Sequence, residues 1–106
     1  MLDWQSIKVN SCIKIERCVG EFEVWDVCKM PYGKFKVKIY ESTDGRFTGR
    51  TNLMVKDDMG NINSGIGYGI TIADALNDTI KYFYSLIEDV SDISKDNFEY
   101  VEWMDF

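Results

Sequence analysis

Residues 34–56 read KFKVKIYESTDGRFTGRTNLMVK, and this stretch decides the fold class. From Lys34 to Glu41 polar and apolar side chains alternate. Phe35, Val37 and Ile39 fall on one face and Lys34, Lys36, Lys38 and Tyr40 on the other, the two-residue period of a strand with one buried side. Thr43-Asp44-Gly45 then supplies residues that tolerate the positive φ of a tight turn. The return, Arg46 to Lys56, places Phe47, Thr51, Leu53 and Val55 inward and Arg46, Thr48, Arg50, Asn52 and Met54 outward. The spacing predicts an antiparallel hairpin.

Working outward, residues 7–30 read as two further strands. Ile13 and Ile15 alternate with Lys14 and Glu16, and Phe22 and Val24 alternate with Glu21 and Glu23. Val19-Gly20-Glu21 is the expected connection between them. A shift of the apolar set to Trp25 and Val27 suggests a bulge or a strand covered on both faces, and Pro31-Tyr32-Gly33 a turn. On the other side, Asp57–Ser64 is a polar loop, followed by Gly65, Gly67 and Gly69. A helix is expected to begin at Thr71, whose hydroxyl caps the first turn with Asp74 at the third helical position. Leu76, Ile80, Phe83, Ile87 and Val90 recur at steps of three and four, one apolar face, with Asp74, Asp78, Lys81, Ser85 and Asp89 on the wet side. The tail Phe98–Phe106 alternates aromatic and acidic residues and is expected as a last strand. The whole predicts a single α+β domain over residues 1–106: an antiparallel sheet of four to five strands packed on one long amphipathic helix, a two-layer sandwich.

Composition narrows the function. No apolar run approaches the ~20 residues a bilayer span needs, and Met1-Leu2-Asp3-Trp4-Gln5 lacks the basic-then-apolar pattern of a signal peptide. A soluble, cytoplasmic protein with no membrane contact is expected. Three cysteines, Cys12, Cys18 and Cys28, form an odd set without C-x-x-C spacing, so buried reduced thiols are expected. Histidine is absent, which removes the commonest general base and the commonest zinc ligand. Carboxylate pairs such as Asp57/Asp58 or Asp74/Asp78 have no recognisable catalytic spacing. Neither an enzyme nor a metal or other cofactor is expected.

Two loop motifs are weighed and set aside. Gly65-x-Gly67-x-Gly69 before a capped helix has the look of a phosphate-binding loop, but its spacing differs and no lysine follows. It reads instead as a glycine-rich strand making a close packing contact. Asp57–Asn63 lacks the alternating ligands of a calcium loop.

Charge carries the functional reading. From Thr71 to Phe106 nine carboxylates face two cations, Lys81 and Lys95, a net of −7, while the total is −6 and residues 1–70 sum to about +1. An acidic surface repels nucleic acid and anionic lipid and attracts the basic grooves of proteins that hold nucleic acid. Asp78, Asp89, Asp92, Glu99, Glu102 and Asp105 are the candidate charges, with Tyr100 and Trp103 as aromatic anchors. The opposing candidate is the outward face of the hairpin, where Lys36, Lys38, Arg46 and Arg50 surround Tyr40, a surface suited to single-stranded nucleic acid. The overall negative charge opposes that use, and no direct nucleic-acid binding is expected. Edge strands and exposed aromatics leave a homodimer open.

The segment Phe35 to Val90 resembles the antitoxin fold of HicB-type proteins. The likeness lies in the strand Phe35–Tyr40, the Asp44-Gly45 turn, the second strand, and the glycine leading into Thr71-Ile72-Ala73-Asp74-Ala75-Leu76, similar to that family's G-x-T-x-E-E-A-L helix entry. It implies a hairpin plus helix in a truncated RNase H-like core that binds and silences a small toxin. The family's proline-containing segment before the helix is missing and no DNA-binding module follows, so promoter repression does not carry over. In size, acidity and lack of catalytic groups the chain is also similar to small phage-encoded inhibitors, anti-CRISPR proteins and DNA mimics among them. The expectation is a non-enzymatic inhibitor from a phage or mobile element whose acidic helix and C-terminal segment block a nucleic-acid-binding protein. The HicB-like antitoxin and the single-strand binder are the alternatives.

Overall fold

The computed structural model describes residues 3–106; Met1 and Leu2, which open the N-terminus read above for a signal peptide, lie outside the described residues. Five strands and one helix follow in the order β1 (Glu16–Trp25), β2 (Lys34–Ser42), β3 (Phe47–Lys56), β4 (Ile62–Gly69), α1 (Ile72–Glu88), β5 (Phe98–Tyr100). The sheet is antiparallel in the order β1-β2-β3-β4, and β5 pairs with β3. This is the two-layer α+β arrangement that the alternation over residues 34–56 predicts. The central hairpin holds its register, Val37 opposite Thr51 through Glu41 opposite Phe47. Beyond Thr51, β3 parts from β2 and takes β5 instead, Leu53 opposite Tyr100 and Val55 opposite Phe98. Asn52 bridges the fork: its Oδ1 accepts the Lys36 N–H at 2.8 Å and its carbonyl accepts the Val101 N–H at 2.7 Å.

The core lies between the sheet's inner face and α1. Phe35, Val37, Ile39, Leu53 and Val55 are buried against Ala75, Phe83 and Ile87, and the Phe35 and Phe83 rings meet at 4.7 Å. Both buried hydroxyls are satisfied. Thr51 Oγ1 donates to the Leu53 carbonyl and accepts the Gly65 N–H, and Thr79 Oγ1 donates to the Ala75 carbonyl. The expected helix cap is present, Thr71 Oγ1 accepting the Asp74 N–H at 3.0 Å.

Phe83, Ile87 and Val90 of the expected apolar face are buried, but the first two turns of the helix bury other residues than predicted. Ala75, Thr79, Phe83 and Ile87 face the sheet fully, whereas Leu76 and Ile80 are half-buried on the flank. The cause is the glycine row. A Cβ on Gly67 would fall 2.2 Å from the Thr79 backbone nitrogen, and one on Gly69 would fall 2.5 Å from that of Ala75. Bare β4 backbone lets α1 descend on its small residues, so the glycines serve close packing, as their spacing predicts.

Several local expectations are corrected. Residues 7–30 hold one strand, not two: Val19-Gly20-Glu21 is no turn but lies inside β1, where the register shifts between Cys18 and Gly20. The Phe22 ring fills the space beside Gly20, 3.0 Å from where a Cβ would stand, so the glycine marks a bulge. The shift at Trp25 is the strand's end, with the chain turning through residues 26–33. All three cysteines are exposed rather than buried, because Cys12 precedes the sheet, Cys18 sits at the bulge and Cys28 in the turn. The tail forms only the three-residue strand β5 before leaving the sheet.

Candidate functional site

The outer face of the sheet carries the basic residues, and the fold engages most of them. Lys38 stands opposite Arg50 across β2 and β3, with Tyr40 two residues on, as the alternation requires. On the other side β1 brings glutamates into register: Glu21 opposite Lys38, Glu23 opposite Lys36. Lys34 Nζ pairs with Glu23 at 2.9 Å, and this hydrogen bond holds the Glu23 carboxyl below its ordinary value. Arg50 reaches Glu16 at 3.3 Å and stacks over the Tyr40 ring at 5.1 Å. Burial, with Cys18 nearby, pushes the Tyr40 phenol up.

The chain's own last residue closes over this face. The Tyr40 hydroxyl donates to the Phe106 carbonyl at 2.6 Å, and the Lys38 ammonium sits 4.5 Å from the Phe106 ring centre. Arg46 stands apart in the turn, 3.7 Å from Asp44, whose carboxyl the Ser42 hydroxyl holds low. Of the five residues Lys36, Lys38, Tyr40, Arg46 and Arg50, four share the face and Arg46 leaves it.

The acidic candidates behave differently. Among the described residues every ion pair uses Glu16, Glu23, Glu41 or Asp44. None uses a carboxylate from residues 71–106. The eight predicted residues fall into four places. Asp89 is the C-cap of α1 and Asp92, at φ +52°, follows it. That end of the helix meets the β3–β4 turn, where Asp58 accepts from the Ser91 N–H and hydroxyl at 3.3 and 3.0 Å, and Asn97 Nδ2 donates to the Lys56 carbonyl at 3.0 Å. Glu99 stands opposite Met54 in the same part of the sheet. Asp89, Asp92 and Glu99 thus share one end of the molecule with Asp58, Glu88 and Asp96, all exposed.

Glu102, Trp103 and Asp105 lie further on, in the tail running from Asn52 to Tyr40 across the outer face. Trp103 is 83% exposed, and its neighbour Met104 is nearly as open, an apolar pair on an acidic segment. Tyr100 is drawn away from them: its ring lies 5.1 Å from that of Tyr32, with Lys95 over the latter at 4.9 Å. Asp78 is set apart on the flank of α1, where it accepts the Tyr68 N–H at 2.9 Å.

Two contributors escape a sequence reading. Asp58 joins the helix end only through the β3–β4 turn, and Met104 carries no periodic signal. Among the described residues no group of three or more acidic or thiol side chains is arranged to hold a metal ion, and no helix is long and apolar enough to cross a membrane. Comparison with models of known families, with curated proteins and with solved structures returns no match to this chain.

Proposed function

We propose that this protein is a non-enzymatic inhibitor that docks its acidic end and tail into the basic groove of a nucleic-acid-binding protein and excludes the nucleic acid by competition. One observation carries the reading: among the described residues no carboxylate of residues 71–106 is in an ion pair, while Arg17, Lys34 and Arg50 of the sheet pair with glutamates of β1 and β2. The charge of the last third is therefore left for another molecule. Its placement is not one that helix stability selects. Glu88 and Asp89 stand at the negative end of the α1 dipole with no basic residue in the last turn, which costs about 0.3–1 kcal/mol each at low salt. Trp103 and Met104 supply apolar surface beside that charge, the composition of an interface anchor.

The test is recovery of the tagged protein from the cells that encode it. A nucleic-acid-handling protein is expected to co-purify, and its own DNA or RNA to displace this chain. Replacing Asp89→Lys, Asp92→Lys and Glu102→Lys together is expected to weaken the complex about tenfold or more, and raising salt from about 50 to 200 mM to weaken it further. Binding indifferent to both changes removes these carboxylates from the interface. A gel shift of RNA or single-stranded DNA by the pure protein at low salt would replace the proposal with direct binding by the hairpin.

A further inference from the structure

The two edges of the sheet are built differently. The β1 edge carries Glu16, Arg17, Glu21 and Glu23 and is broken by the bulge at Cys18–Gly20, devices that stop strands from adding. The β4 edge has neither. Its sequence, Ile62-Asn63-Ser64-Gly65-Ile66-Gly67-Tyr68-Gly69, contains no charge and no proline. Tyr68 is 67% exposed, and Ile62 and Ile66 are also open.

Part of the backbone at this edge is free to pair. In an antiparallel ladder, residues two apart send their N–H and C=O the same way. The Tyr68 N–H points away from β3, since it donates to Asp78 on the helix. Ile66, opposite Arg50, accordingly directs both its N–H and its C=O to the outside. The glycine floor holds α1 low over this strand, so that Asp78 and Tyr82 stand beside the edge as a wall. With Met54, Ile62, Ile66 and Tyr68 they enclose a groove of about 550 Å³.

The groove mixes these apolar and aromatic side chains with Asn63 and Ser64, and its one charged lining residue is Asp78. The nearest cations in register, Arg50 opposite Ile66 and Lys56 opposite Ile62, belong to β3, and Arg50 is paired with Glu16. Asp78 faces the groove with one oxygen committed to Tyr68 and the other open to a cation. We infer that the β4 edge takes up an extended segment of a partner chain, with basic side chains at alternate positions, which adds antiparallel beside Ile66. Main-chain bonds would give affinity, and Asp78 with the two tyrosines would read the side chains. A second copy of this chain is the poorer occupant: it would bring Asp78 towards Asp78 between molecules of net charge −6.

Panning a random octapeptide library on the immobilised full chain tests this. Enriched peptides are expected to carry Lys or Arg at alternate positions between apolar residues. Ile66→Pro removes only an outward N–H on an edge strand, where proline is tolerated. It is expected to weaken a selected peptide roughly three- to tenfold. Asp78→Lys is expected to shift selection to acidic peptides. On the wild-type chain the Ile66 amide should gain protection from hydrogen exchange when a selected peptide binds, a readout that does not depend on how the variants fold. No enrichment, enrichment without basic residues, or an Ile66 amide that stays unprotected would each overturn the inference. So would a dimer in sedimentation that Ile66→Pro splits. The acidic end takes no part in these readouts, so its role is decided separately.

Discussion

Asp26 and Tyr84, 58 positions apart, form the tightest polar contact between the β1–β2 turn and the helix. The Tyr84 hydroxyl donates to Asp26 Oδ2 at 2.5 Å, while Oδ1 accepts the N–H groups of Cys28 and Lys29. The tyrosine bond, above the backbone ones, holds the Asp26 carboxyl below its ordinary 3.8. Burial, and then Asp26 itself, pushes the Tyr84 phenol above its ordinary 10.0. The signs follow by linkage. A depressed carboxylate stabilises the fold above its unfolded pKa and loses that effect as pH falls through the folded value. A raised phenol stabilises below its unfolded pKa and loses it as pH climbs towards the folded value. The stability gap between the protein and Tyr84→Phe is therefore expected to be flat from about pH 4 to 10 and to narrow on both sides. Urea melts across that range measure it, and a gap unchanged down to pH 3 would detach the bond from Asp26's titration. Neither residue stands out in the sequence, where Asp26 falls between Trp25 and Val27 in a stretch read as strand and Tyr84 lies off the helix's apolar face. The cysteines mislead for the same reason: burial depends on what packs above a residue, and local pattern says nothing of that.

At the scale of elements, the contact between α1 and β4 rests on absent side chains. Gly49, Gly65, Gly67 and Gly69 each face a helix atom, or Thr51, closer than a Cβ can approach. Gly67→Ala would set a methyl against backbone that cannot rotate away, so the helix must lift. A loss of at least about 1–3 kcal/mol is expected, read by chemical denaturation. Gly45→Ala, with nothing near its Cβ position but a φ of +83°, separates packing from backbone strain: it should cost less. The glycine spacing was readable as close packing, and the Thr71 cap marked where the helix starts. Phe83, Ile87 and Val90 were readable as buried, but the first two turns were not, since Leu76 and Ile80 outscore Ala75 and Thr79 in any hydrophobic count. Only the depth of the floor makes small residues the better fit.

At the scale of the molecule, charge is sorted by the tertiary structure. The β1 strand lays Glu16, Glu21 and Glu23 beside cations of β2 and β3, and among the described residues the carboxylates of the final third are in no ion pair. Repulsion among its carboxylates should then outweigh the exposed ion pairs, each worth little. The melting temperature is expected to rise by a few degrees between about 10 and 200 mM sodium chloride, as screening shortens the reach of those charges. A fall would mean that the β1 pairs dominate. The sequence by itself determined the hairpin, the helix start and the two-layer class, because periods of two and 3.6 residues and a capping hydroxyl act between near neighbours. Only the tertiary structure decided that the acidic residues divide among the helix end, the tail and the β4 flank, that β1 sets its glutamates beside the basic stripe, and that the β4 edge lacks the charges and bulge of the β1 edge. Those outcomes depend on strand register and on how the tail crosses the sheet, which unite residues far apart in the chain.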